Sequence, residues 1–140
     1  METAIRIAKY CWAAPYSLLG LLFGVLAVLL GASARRVAGA IEFGGGLPGR
    51  MLRRLPPAIS FSAITFGHVI LGVDHRTLAE MRAHEQVHVR QYERWGLLYV
   101  PAYLLSSMVE LLRGRNPYLD NYFERQAYAQ APSRTRPHRV

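Results

Sequence analysis

A single cysteine, Cys11, in 140 residues excludes any disulfide within the chain. A single lysine leaves the positive charge almost wholly to arginine. Neither zinc-finger spacing nor an aromatic-interleaved basic motif occurs, so the net charge of +8 does not read as a nucleic-acid footprint. No internal repeat is present. Between residues 11 and 34 charge is missing altogether, and the stretch is rich in Leu, Val, Ala and Gly. As a helix it would reach about 36 Å, against a hydrocarbon thickness of about 30 Å. Trp12 and Tyr16 suit an interfacial aromatic belt.

Residues 11–34 therefore read as an N-terminal transmembrane helix, preceded by a short lead, residues 1–10, carrying Arg6 and Lys9. A cleaved signal peptide is the alternative, with Ala32-Ser33-Ala34 as its processing site, although Arg35 and Arg36 directly after it suit a retained anchor. Within twenty residues after the segment stand Arg35, Arg36, Arg50, Arg53 and Arg54. The positive-inside tendency puts that larger group, and the rest of the protein, in the cytoplasm. The expected localisation is a single-pass membrane protein.

Residues 35–57 contain Gly44-Gly45-Gly46, Pro48-Gly49 and Pro56-Pro57 and read as a basic linker whose arginines meet anionic head groups. From Ala58 to Val73 the pattern predicts a short antiparallel strand pair interrupted at Gly67. Thr77 and Glu80 match a capping box, which predicts a helix from Leu78 to Trp95 stopped by Gly96. Its inward stripe is Met81, His84, Glu85, His88, Tyr92 and Trp95; Arg82, Arg90 and Arg94 fall on a solvated or lipid-facing side. Gly96 to Val109 is apolar but too short to span a bilayer, and reads as a packing helix. After a turn at Asn116-Pro117 a last helix runs from about Asp120 or Asn121 to Gln130. Residues 131–140 read as a disordered basic tail. The fold class expected is α+β, mainly helical, with residues 58–130 as its domain.

His84-Glu85-Gln86-Val87-His88 spells H-E-x-x-H on that capped helix. Two imidazoles one turn apart can grip one zinc ion, and Glu85 beside them can take a proton from metal-bound water. A catalytic zinc needs a third protein ligand, and Glu124 on the last helix is the best candidate. Asp120 and Tyr128, four residues to either side, would share its face. Asp120 could orient a ligand histidine, and Tyr128 could donate to an oxyanion. The plainer readings are also open. Glu124 can be the N3 partner of a capping Asn121, Asp120 a helix-start residue, and Tyr122 and Tyr128 core aromatics. His68 and His75 are single histidines with no ligand pattern.

His84-Glu85-x-x-His88 followed by Glu124-x-x-Ala127 resembles the gluzincin branch of zinc metallopeptidases. The stretch from Arg82 to Ala129 is similar to small bacterial membrane-associated proteins with a minimal zincin core. The resemblance implies Zn²⁺ held by His84, His88 and Glu124, with Glu85 as general base. It also implies a peptide substrate paired along an edge strand at Thr65 to Leu71. Membrane lipids would be met through the N-terminal helix and the arginine-rich linker. The chain lacks a sizeable second subdomain, so a non-catalytic, zinc-stabilised interaction or scaffold module is the alternative.

Overall fold

The computed structural model describes residues 2–56 and 61–131. Expectations for 57–60 and for 132–140 lie outside the described residues. The element order is α1 Glu2–Leu29, β1 Ala32–Val37, β2 Ala40–Gly45, α2 Gly46–Leu52, β3 Ala63–Phe66, β4 Val69–Gly72, α3 His75–Trp95, α4 Tyr99–Leu112 and α5 Tyr122–Gln130, with a 3-10 turn Gly96–Leu98 between α3 and α4. The α+β class holds. The strands form one sheet in the order β1-β2-β4-β3, in which β2 and β4 run parallel and the two outer pairs antiparallel.

The expected hairpin is present as β3–β4, but the sheet is larger than the sequence suggested. Residues read as linker, 35–57, form half of β1 and all of β2 and α2. The two-residue turn between β1 and β2, Ala38-Gly39, has positive φ at both positions (49° and 82°). That backbone matches the twist of the flanking strands and closes a tight hairpin. The arginine pair on β1 and the glycine run ending β2 masked it. Glu42 of β2 is fully buried and receives both Nε and Nη2 of Arg82, at 2.8 and 3.0 Å. Arg82 is thus turned inward rather than lying with the exposed Arg90 and Arg94.

Helix α3 starts three residues before the predicted Leu78. Its cap is Asp74, in extended conformation, whose Oδ1 accepts from the Thr77 amide at 2.7 Å. Thr77 supplies the capped amide instead of the capping oxygen, and Glu80 pairs with Arg76 at 3.4 Å. Ala40, Ile70, Leu78 and Val89 pack α3 onto one face of the sheet. The predicted inward stripe is buried from Met81 through Tyr92, whereas Trp95 is 37% exposed.

The N-terminal apolar helix is real, but it begins in the supposed lead and ends at Leu29, five residues before the predicted boundary. It packs along the other face of the sheet instead of standing apart from it. Ala13, Gly20 and Gly24 form its inward stripe. A Cβ on Gly20 would sit 2.7 Å from the Val69 Cβ, and one on Gly24 2.4 Å from the Phe43 ring, so only glycine allows this approach. Polar contacts pin the N-terminal half: Lys9 to Glu93 at 3.0 Å, Tyr10 Oη to the Gly39 carbonyl at 2.8 Å, and Tyr10 stacked on His68.

Small residues face inward on α1, while Leu18, Leu22, Phe23, Val25, Leu26 and Leu29 face outward and are exposed. Helix α4 repeats the inversion. Ser106, Ser107 and Glu110 turn toward the protein, and Leu104, Leu105, Met108, Leu111 and Leu112 turn away. Two helical stretches, Thr3–Leu29 and His75–Leu112, are long and apolar enough to cross a membrane.

The Glu42–Arg82 pair ties the first half of α3 to the sheet. Arg82→Met would leave Glu42 buried without a cation and should cost about 3 kcal/mol in unfolding free energy. Adding Glu42→Gln should recover most of that loss in a chemical denaturation series.

Candidate metal centre

Helix periodicity brings His84 and His88 to one face of α3, with their Nε2 atoms 3.1 Å apart. Glu124 reaches the same point from α5. Its Oε2 lies 3.2 Å from His84 Nε2 and its Oε1 3.4 Å from His88 Nε2. The three side chains are 1%, 7% and 4% exposed, respectively for His84, His88 and Glu124. The structure thus brings together all three predicted ligands, which form a group able to hold a metal ion.

Local chemistry delivers α5 to this position. Asn116 Oδ1 accepts from the amides of Tyr118 and Leu119, closing the turn after α4. Asn121 then caps α5, accepting from the Phe123 amide at 2.8 Å, while its Nδ2 donates to the Tyr103 carbonyl and Ser107 Oγ. Val87, Ala127 and Ala131 pack α5 against α3. Asn121 is the cap that the plainer reading expected. The Glu124 carboxylate, however, turns to the two imidazoles and to Tyr103, whose Oη donates to Oε1 at 2.8 Å.

The dimensions can be tested against a tetrahedral ion. Ligand atoms about 2.0–2.1 Å from zinc stand about 3.3–3.4 Å from one another. The imidazole nitrogens stand 3.1 Å apart, and each meets its own Glu124 oxygen, Oε2 at 3.2 Å from His84 and Oε1 at 3.4 Å from His88, spacings close to that separation. The donor chemistry agrees with the size. Gln91 Nε2 donates to the Phe123 carbonyl and to Gln126 Oε1, at 3.1 and 2.8 Å, which turns its Oε1 toward His88 Nδ1 at 2.8 Å. A proton held on Nδ1 by Gln91 would leave Nε2 as the nitrogen able to ligate an ion. Glu124 Oε2 is buried without a hydrogen-bond partner among the described residues, despite lying 3.2 Å from His84 Nε2. The Nε2 atoms of His84 and His88 and the Glu124 carboxylate therefore converge on one point.

Burial alone would raise the Glu124 carboxyl. Contacts with His84, His88 and Tyr103 outweigh it and bring the group down to about 2. Glu124 is an anion at neutral pH, as a ligand must be. Glu85 is also buried, and its Oε2 accepts from Thr65 Oγ1 at 2.7 Å. Thr65 belongs to β3, which among the described residues pairs only with β4 and forms an edge of the sheet. Glu85, His88 and Glu124 line one cavity of about 330 Å³ between β3 and helices α3 to α5.

Not every expected residue joins the site. Asp120 Oδ2 accepts from the Asn116 amide at 3.1 Å; the orienting bond expected of it is made by Gln91 for His88. Tyr128 packs its ring on His84 with centroids 4.5 Å apart and does not line the cavity. Tyr118 does line it and hydrogen-bonds Tyr128; burial holds its phenol above the usual range. Tyr122 is 59% exposed. His68 bonds Glu93 and His75 bonds Ser33, both away from the ligands.

Four supporting residues escaped the sequence reading: Thr65, Gln91, Tyr99 and Tyr103. Tyr99 Oη lies 3.0 Å from Gln91 Oε1 and 3.1 Å from His88 Nδ1. Gln91, one turn beyond His88, was visible as a same-face residue; the tyrosines needed the direction of α4. No family model, curated protein or solved structure matches the chain.

Because Gln91 fixes the His88 tautomer, Gln91→Leu should weaken zinc binding about 10- to 100-fold in a competitive chelator titration. Tyr103→Phe should weaken it less, since Glu124 keeps its imidazole contacts.

Proposed function

We propose that this protein is a membrane-embedded zinc metallopeptidase. One observation carries the reading: two imidazole nitrogens 3.1 Å apart each lie within 3.4 Å of an oxygen of the buried Glu124 carboxylate, and a second buried carboxylate, Glu85, lines the cavity that Glu124 lines. His84, His88 and Glu124 would hold the ion. Zinc bound there would supply positive charge able to polarise a peptide carbonyl and to lower the pKa of water from about 16 toward about 7.

The chain's own groups supply the rest. Glu85, held by Thr65, takes the proton from the attacking water as its oxygen adds to the carbonyl carbon. As the carbon–nitrogen bond breaks, Glu85 returns that proton to the departing amine. Tyr118, neutral and lining the cavity, is better placed than Tyr128 to donate to the developing oxyanion. Among the described residues, only Glu85, His88 and Glu124 bring an acid or histidine side chain to the cavity wall.

The outer faces of α1 and α4 support the membrane part of the reading. Large apolar side chains point outward and small or polar ones inward on both helices. In water this arrangement is costly, whereas in lipid it is the expected one, because acyl chains solvate leucine and close packing favours small residues.

Purified full-length protein should carry about one zinc per chain, and His84→Ala and Glu124→Ala should lose it. Glu85→Gln should keep the metal and reduce peptide hydrolysis by about a hundred-fold or more. Wild-type protein that takes up no zinc at neutral pH would contradict the metal site. Zinc binding without hydrolysis in the wild type would favour the scaffold alternative.

A further inference from the structure

The chemistry around the metal triangle says what kind of chain it acts on. Beyond Glu85, His88 and Glu124, the cavity wall is apolar or aromatic, including Ile64, Phe66, Tyr92, Val100 and Tyr103. A neighbouring trough of about 310 Å³ lies on the α1 side of the sheet, between Phe23 and Leu26 of α1 and Phe43 of β2. Phe61, Ile64 and Phe66 line both hollows, so the two meet around edge strand β3. The two hollows therefore share a wall at β3, and no charged side chain is among the residues lining the trough beside α1. On its other wall, Val100 and Tyr103 begin α4, the second helix whose leucines face outward.

An extended polar peptide arriving from water would have to desolvate its side chains against these walls with few partners. An apolar segment already in the bilayer pays no such penalty and reaches β3 without leaving a low-dielectric path. Resting on the metallopeptidase reading, we propose that the cavity takes an apolar peptide segment resident in the bilayer. It enters between the outer faces of α1 and α4 and is cleaved at the metal centre. Phe61, Ile64 and Phe66 are the residues it crosses.

The test places a photo-crosslinking p-benzoylphenylalanine at Phe61 or, separately, at Ile64 of the full-length Glu85→Gln protein. The protein sits in vesicles of phosphatidylcholine and phosphatidylglycerol. Two synthetic peptides share one central sequence, one carrying an added Leu/Ala span of about twenty residues and the other a Ser/Gly-rich stretch of equal length. Arg76, whose side chain is 90% exposed on the first turn of α3, is the control position. The bilayer-inserted peptide should crosslink at Phe61 and Ile64 at least about ten-fold more than the soluble one, and not at Arg76. Wild-type protein should cleave it beside the apolar span. Cleavage of the soluble peptide with no preferential crosslink would overturn this proposal and leave the peptidase reading standing. Crosslinking of the inserted peptide with no wild-type cleavage would uphold the occupant and overturn the peptidase. Neither signal would overturn both.

Discussion

Two imidazoles and a carboxylate cannot be pressed together in a dry interior at little cost unless a positive charge lies among them. That constraint organises this molecule. His84 and His88 are fixed by one turn of α3, and Glu124 by the packing of α5 on Val87. Gln91 and Tyr103 then aim the donor atoms at a shared point. Together these contacts shape a buried group able to hold a metal ion, with Glu85 lining the adjoining cavity.

The second organising feature is inverted amphipathicity. On α1, Gly20 and Gly24 let the helix lie against Val69 and Phe43, while its bulk faces outward. On α4, the serines and Glu110 serve the interior. Ser106 Oγ accepts from the Tyr122 amide and Ser107 Oγ from Asn121, helping to hold the start of the helix that carries Glu124. The face that suits lipid and the face that builds the site therefore belong to the same helix. On the proposed reading, membrane contact and metal binding would share these helices.

How much of this was legible beforehand varied with the physics involved. H-E-x-x-H was readable because helical spacing is local, and Glu124 because a capped helix follows a clear turn. Helix α1 was visible as an apolar run, but its packing against the sheet was not, since glycines at four-residue spacing do not name their partner. The β1–β2 hairpin was hidden because Ala38-Gly39 is an unusual turn and Glu42 looked like an ordinary surface acid. Its burial depends on Arg82, forty residues away. Asp74 was overlooked as the cap because Thr77-x-x-Glu80 offered a complete local alternative. Only the long-range Arg53–Asp74 contact and the start of α3 against the sheet decide between them.

Zinc-edge X-ray absorption on the purified full-length protein tests the central claim most directly. The account predicts one ion per chain with nitrogen and oxygen neighbours at about 2.0–2.1 Å, two of them imidazoles, and no sulfur. A sulfur shell from Cys11, or an ion lacking imidazole scattering, would contradict it.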